Sequence, residues 1–578
     1  MIARNLRLPL LAAILTMPMC AAEKTIDDVW AGVDPRAEAL DIEVLRKWTE
    51  NGAAYTEMYF TGLTHEGEKV RVYGMYAAPE GGRKLPAVLH IHGGGQTVNK
   101  GWLKTWTARG YAAMSFNWGG EWPNRDKYTL WGKLIQGNHA KSHESGMHMA
   151  TKPSVRLSSW FLWTLVSRRA LTVLERQPEV DPERLGIFGV SMGGTIVWNF
   201  AGTDKRVKAA AAVYGVGWNT YPEAIGDPDP KAADPEVALW RATMEPESYP
   251  GRIECPVLFL DGTNDQHGKM DWAYKTTDAL HVEHREAFTP QYRHHIGSAQ
   301  ASDLLLWMDW WLKGGEAWPK SPKVSVRLSR SGVPELMVDA DQSQKIQSVQ
   351  MYYALENRGP KNRFWRTLQG NPPALMPVID VSRPLFAFAN VNYESGVSIT
   401  SNLASVTPAA LGKAKATDKP TLSIDDFSGG VGDWVTSSTG TDPIPPVFEA
   451  VKSATGPGWK AAVTTDRTIE LFTHKIGDPK WRGPDGTVLK FRVYSKAARE
   501  LTVAVYRNWV ETGNQKFSHT LSLKPSDEWQ EVELRVADFR TEKGLSLSAW
   551  SEAQVLSLHS PGPGNVVPLY ADFRWAPK

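Results

Sequence analysis

The segment Gly189-Val190-Ser191-Met192-Gly193-Gly194 restricts this chain to few folds. Residues 185–189 form a short apolar run of buried-strand type, and the residues after Gly194 read as a helix. A serine between them must stand on a tight strand-to-helix turn. Side chains two residues to either side would collide there, so glycine occupies both places. The turn sets the serine Oγ at a helix N-terminus, whose positive dipole end favours developing negative charge. Ser191 is therefore a candidate nucleophile.

The surrounding sequence supplies the sheet that such a turn needs. Residues 86–92, 111–117, 207–214 and 256–260 are further strand-like runs. Residues 156–177 place Leu157, Trp160, Phe161, Leu165, Leu171 and Leu174 at near-helical spacing without Pro or Gly. Residues 302–313 read as a last helix, closed by Gly314-Gly315. Strands alternating with helices predict a mostly parallel sheet covered by helices.

Beyond residue 319 the period changes to strict alternation with no helix-length segment, as in Val324, Val326 and Leu328. A small β-sandwich is expected over 319–418. Residues 413–420 look like a linker, and a jelly-roll β-sandwich is expected over 421–578. The predicted class is α/β, an α/β-hydrolase catalytic domain over 23–318 followed by two all-β sandwich domains. At 578 residues, several cores are needed in any case.

Partners for Ser191 follow in order. His92-Gly93-Gly94-Gly95 ends the strand at 86–91, and main-chain N–H groups there could hold an oxyanion together with the N–H of Met192. Gly94 is the first choice for the second donor and Gly95 the next. Each donor is worth about 3 kcal/mol of barrier. His92 reads as a structural loop residue. Asp261-Gly262-Thr263-Asn264-Asp265 follows the strand at 256–260. Asp265 sits beyond the strand end, where it could reach an imidazole, while Asp261 would organise the turn. Gln291-Tyr292-Arg293-His294-His295 supplies the base, and spacing alone leaves both histidines open. The order Ser, Asp, His differs from those of chymotrypsin and subtilisin.

Together these motifs resemble α/β-hydrolases of the acetyl xylan esterase and cephalosporin-C deacetylase kind. They also resemble the PhoPQ-activated pathogenicity-related proteins, where a Gly-Thr-Asn-Asp segment supplies the acid. In the latter family a proline precedes the catalytic histidine by four residues, so the resemblance to Pro290 onward implies His294 as base. Residues 352–358 and 364–366 look like the β domain that follows the hydrolase there. The resemblance covers about 85–400 and implies a Ser191–His294–Asp265 triad acting on an ester. It departs at Met192-Gly193-Gly194, which is more esterase-like, and in the extra C-terminal domain.

Residues 119–153 form an insertion expected to hang over the active-site end, with Trp118 and Trp122 as candidate substrate-binding residues. Its His139, His143 and His148 match no strong metal-ligand spacing, so no metal and no organic cofactor is expected. Seven tryptophans from Trp434 to Trp575 (Trp434, Trp459, Trp481, Trp509, Trp529, Trp550, Trp575) raise carbohydrate binding against the simpler reading that they are core.

The compartment is read from the N-terminus. Arg4 and Arg7 precede an apolar run over 8–19, and Cys20-Ala21-Ala22 supplies small residues. That order predicts a signal peptide over 1–22, and hence a secreted or periplasmic protein with one remaining thiol, Cys255. With 65 basic and 63 acidic residues the formal charge is +2, which offers no field for nucleic acid. No segment is long enough to span a bilayer. The expected partner is a carbohydrate ester or another small acyl ester; the rival readings are a prolyl-oligopeptidase-type peptidase or amidase and a non-catalytic polysaccharide-binding protein. The oligomeric state is not legible.

Overall fold

The computed structural model of the chain describes residues 23–123, 125–216, 234–437, 448–453, 456–461, 470–507, 516–561 and 568–578. The expected signal peptide lies outside them, as does Trp509, and Trp459 lies in a strand whose side chains are not described.

Nine strands form the central sheet: β1 (Glu43–Glu50), β2 (Ala53–His65), β3 (Glu68–Pro79), β4 (Leu85–Ile91), β5 (Ala112–Phe116), β6 (Val180–Val190), β7 (Val207–Val213), β8 (Val257–Gly262) and β9 (His284–Thr289). Their order is β1-β2-β3-β5-β4-β6-β7-β8-β9. From β5 to β9 every pairing is parallel. β1 to β3 add an antiparallel flank at one edge. The sequence reading missed that flank, because residues 43–79 carry no motif and expose much of β1.

Eight α-helices among the described residues accompany this sheet: α1 (Ile26–Trp30), α2 (Lys100–Ala108), α3 (His139–Ser142), α4 (Ser159–Glu175), α5 (Met192–Ala201), α6 (Pro235–Thr243), α7 (Met270–Thr277) and α8 (Ser298–Lys313). Alternate strand residues feed two cores, as the pleat requires. Leu89, Ile91, Ile187, Ala212 and Phe259 pack with α4, α5 and α7 on one face. Val88, Phe188, Val213 and Leu258 pack with α2 and α8 on the other. α4 is buried almost throughout, including Trp160 and Trp163, so its helical spacing marked a core element rather than one amphipathic stripe.

Two further pairs of sheets follow, in line with the β pattern of the sequence. One pairs β10 (Lys323–Leu328), β11 (Pro334–Asp339) and β14 (Ala374–Leu375) against β12 (Ile346–Leu355), β13 (Arg366–Leu368), β15 (Leu385–Tyr393), β16 (Ser398–Thr400) and β17 (Ala404–Val406). Leu336 of the first sheet and Met351, Tyr353 and Ala389 of the second share one core. Among the described residues the last pair has six strands including Thr487–Tyr494 and Leu569–Pro577, and five including Arg499–Tyr506 and Val555–His559. Phe491, Val503, Leu558 and Phe573 meet between them. Trp434, Trp550 and Trp575 are buried there, so these three hold the core and offer no face to a sugar.

Candidate active site

Ser191 stands between β6 and α5 with φ 58° and ψ −121°, in the left-handed half of backbone space. A β-carbon on Gly193 would lie 2.1 Å from the Ile91 carbonyl oxygen, and one on Gly189 2.1 Å from that of Gly193. The crossing of β4 and the turn therefore admits only glycine at these two positions. The Ser191 N–H donates to the Val213 carbonyl (2.9 Å), which pins the turn to β7.

The three residues expected to act together are brought together. The Ser191 hydroxyl donates to His294 Nε2 (2.6 Å), and His294 Nδ1 faces Asp265 Oδ2 at 2.5 Å. Asp265 is fully buried, and its Oδ1 accepts the N–H groups of His267 (2.5 Å) and Gly268 (3.0 Å). Burial alone would raise its pKa, but the His294 imidazole and the hydrogen bonds outweigh burial and hold the carboxyl at about 2. Asp261, by contrast, is pushed well above the carboxylate range by burial and by the Asp265 charge. One buried carboxyl is thus ionised beside a neutral one. Asp261 also accepts the Gly262 N–H (2.7 Å), the turn-organising contact expected of it. His295 turns away from Ser191 and stacks parallel to Tyr292, and burial holds its imidazole down at about 4.

A cavity of about 250 Å³ opens on Ser191 and His294. Gly94, Met192, Thr195, Val216, Tyr214 and His139 are among its walls. The first N–H groups of α5 have no intrahelical partner, so the Met192 N–H is placed to meet an oxyanion, with Gly94 opposite. Two expectations are corrected here. Gly95 is not part of the cavity wall: its φ of 67° turns the loop away, and its carbonyl accepts from the Arg125 guanidinium. Trp118 is fully buried, stacked on His92 at 4.8 Å and donating from Nε1 to the His92 carbonyl (2.8 Å). It braces the loop and cannot touch a substrate. Trp122 is half-buried over Gly95 and beside His139.

His92 is structural, with Nδ1 bonded to the Gly93 carbonyl (2.7 Å). Among the described residues no group of three His, Cys, Asp or Glu is arranged to hold a metal. His148 instead contacts Ser142 Oγ (3.2 Å) and Trp160 Nε1 (3.3 Å). The sequence reading missed Tyr214, whose ring meets His294 edge-on at 4.5 Å, and His267 at 4.9 Å. Position at the end of β7, next to the strand carrying Ser191, was the available signal for Tyr214. His139, read from the sequence as pocket lining or loop structure rather than a metal ligand, stands in the cavity wall, and burial holds it neutral, down at about 4.

The acid and base loops rest on residues far along the chain. Asn264 Nδ2 donates to the Arg363 carbonyl (2.6 Å), and the Arg363 guanidinium pairs with Asp271 at 2.6 and 2.9 Å. Gln291 Nε2 donates to the Trp365 carbonyl (2.7 Å). Arg293, beside His294, is buried with its guanidinium over the Phe472 ring of the last sandwich.

Residues 137–294 match the Dienelactone hydrolase family. The fold is that of an α/β-hydrolase. Dipeptidyl-peptidase 5 of Porphyromonas gingivalis is 26% identical over 261 residues, covering 40% of this chain and 34% of its own. An uncharacterized peptidase, YuxL of Bacillus subtilis, is 24% identical over 233 residues, covering 38% and 32%. This α/β-hydrolase thus spans about a third of the length of the curated relatives it matches. Solved structures similar to it include an acetyl xylan esterase from Paenibacillus sp. R4, with TM-score 0.39 and 18% identity over 50% of this chain and 95% of that one. A putative dienelactone hydrolase from Klebsiella pneumoniae subsp. pneumoniae MGH 78578 has TM-score 0.33 and 18% identity over 46% and 100%.

Proposed function

We propose that this hydrolase is an exported serine esterase that removes short acyl groups from a carbohydrate ester. The observation that carries the reading is the unbroken hydrogen-bonded series Ser191, His294, Asp265 at the wall of a small cavity. Ser191 Oγ attacks the ester carbonyl as its proton passes to His294 Nε2, and Asp265 steadies the imidazolium through Nδ1. The N–H groups of Met192 and Gly94 take the oxyanion. His294 returns the proton to the departing alcohol, then removes one from water, which attacks the acyl-enzyme and frees the acid. No step calls on a cofactor.

A cavity of about 250 Å³ closed by Met192, Thr195 and Val216 suits a short acyl chain. The matched peptidases favour a second reading, cleavage of peptides from a free amino end. That reaction needs a carboxylate to neutralise the substrate ammonium, and no acidic side chain is among the described residues lining the cavity. Export is supported by the charged, apolar and small-residue order of residues 4–22.

The test is release of acid from 4-nitrophenyl acetate and from acetylated xylan, beside the Ser191→Ala variant. Turnover of both, lower by about 10⁴-fold or more in the variant, is expected. Turnover of the small ester alone keeps the serine hydrolase and removes the xylan ester. Preferential cleavage of prolyl 4-nitroanilides moves the protein to the peptidase reading, and an unimpaired variant overturns the role of Ser191.

A further inference from the structure

A second and larger cleft, of about 790 Å³, lies where the hydrolase sheet, the middle sandwich and the C-terminal sandwich meet. Its size falls within the ~300–1,000 Å³ of small-molecule sites. Twenty described residues line it and none is charged, although 22% of the chain is Asp, Glu, Lys or Arg. Amides, hydroxyls, glycines and aromatic rings take their place.

The amides are there by strand register. On β12 and β15, Gln350 pairs with Asn390 and Ser348 with Asn392, so the four share one face of the sheet. The intervening Val349, Met351, Ala389 and Val391 turn to the opposite face, where Met351 and Ala389 enter the core of the middle sandwich. Asn390 is committed to the fold: its Nδ2 donates to the Phe288 carbonyl (2.9 Å) and its Oδ1 accepts from Thr400 (2.6 Å). Gln347 and Gln350 are exposed and Asn392 half-buried; Gln350 Oε1 accepts from the Tyr352 hydroxyl (3.3 Å) and Asn392 Nδ2 donates to Ser348 Oγ (3.0 Å), which orients the Gln350 amide nitrogen and the Asn392 amide oxygen along an open wall. The half-buried ring of Tyr292 stands in the same cleft.

We infer that this cleft binds the neutral backbone of a carbohydrate chain. A primary amide donates and accepts at once, which matches adjacent hydroxyl groups that do the same. An aromatic ring beside the amides packs on the apolar face of a sugar ring. Phosphate, sulfate or uronate ligands would call for Arg or Lys, which the described wall lacks. The cleft also adjoins the reaction site in sequence, since the turn carrying His294 supplies Thr289, Pro290 and Tyr292 to its wall. The inference deepens the esterase reading by assigning the polymer a place outside the acyl cavity, and rests on that reading only for its purpose.

The experiment is affinity electrophoresis of the full chain through gels containing arabinoxylan, glucomannan, mixed-linkage β-glucan, galactan or arabinan, with polygalacturonate as the anionic control. Retardation by at least one neutral polymer, unaffected by salt, is expected. The triple variant Gln347→Ala/Gln350→Ala/Asn392→Ala should raise the dissociation constant at least tenfold. Gln350→Ala alone serves if the triple variant melts at a lower temperature. No retardation, equal retardation of the variants, or retardation by polygalacturonate alone would overturn the inference. Turnover of 4-nitrophenyl acetate by the unsubstituted chain is scored separately. Retardation without turnover retains the cleft and removes the esterase, and turnover without retardation does the reverse.

Discussion

The two halves of the candidate active site are held by different means. Ser191, Met192 and Gly94 sit on β4, β6 and α5, and everything bracing them belongs to the hydrolase core itself: the Ile91 carbonyl, the Val213 carbonyl, and Trp118 stacked on His92. Asp265 and His294 sit on loops after β8 and β9 that lean on Arg363 and Trp365 of the middle sandwich and on Phe472 of the last one. The nucleophile half is rigid by local packing. The acid–base half is rigid because later domains clamp it. Damage to the first should move the nucleophile and destabilise the sheet, whereas damage to the second should slow the chemistry first.

The largest effect on stability is expected from Gly193→Ala. Its methyl group would overlap the Ile91 and His92 carbonyl oxygens at 2.1 and 2.6 Å, and backbone cannot swing aside as a flexible side chain could. Overpacking of about 3 kcal/mol should appear as a lower melting temperature. A displaced Ser191 should cost at least ~10²-fold in kcat/KM. A fully active, fully stable variant would mean that the turn is softer than its contacts imply.

Arg293→Ala tests the other half. Its guanidinium lies over Phe472, and Glu470 on the same strand (Glu470–Thr473) carries the charge nearest to it in effect. Removing it frees the turn next to His294, so kcat should fall about tenfold with KM nearly unchanged. Phe472→Ala should act in the same direction by a smaller factor. If Arg293→Ala lowers stability while leaving kcat intact, the last sandwich is a passenger and the clamp is only structural.

Acidification compares the halves at once. Burial lowers the pKa of His92 and His139 beside Gly94, and of His295 and His474 beside the Arg293 clamp, with His139 and His295 at about 4. These imidazoles stay neutral when folded, while the unfolded chain takes up their protons near pH 6.5. Their contribution is therefore complete above pH 6.5 and is lost as the pH falls toward 4. The melting temperature should drop across that interval by several degrees. His295→Phe should flatten the drop, and an unchanged slope in that variant would place the proton uptake elsewhere.

The same contrast explains what was legible in the sequence. Ser191, Gly189 and Gly193 lie within five residues, so strand, turn and helix patterns converge on one reading. Asp265 and His294 were legible as candidates because their loops follow strands in a known order, and the choice of His294 came from family resemblance rather than from spacing. The braces could not be read. Asn264 reaches 99 residues along the chain to Arg363, and nothing in either neighbourhood records that contact. Trp118 shows the opposite failure: a tryptophan beside a conspicuous loop reads as a ligand platform, yet tertiary packing buried it against His92. The antiparallel flank β1 to β3 escaped because only its pairing with β5 makes it part of the sheet.

The smallest expected effect is the sharpest discriminator within the acid–base half. Asp261 and Asp265 are both buried to the last atom, and the charge of Asp265 acts on Asp261. Two like charges so placed cannot both persist, and the raised pKa belongs to Asp261. A neutral carboxylic acid is closely imitated in shape and polarity by an amide. Asp261→Asn should therefore change kcat by less than about threefold, because a neutral amide replaces a neutral carboxyl and Asp265 keeps its charge. Asp265→Asn should instead cost about 10⁴-fold, since an amide there can hold His294 in the wrong tautomer. The reverse pattern in 4-nitrophenyl acetate turnover would make Asp261 the acid, and Asp265 only the residue that shapes its turn.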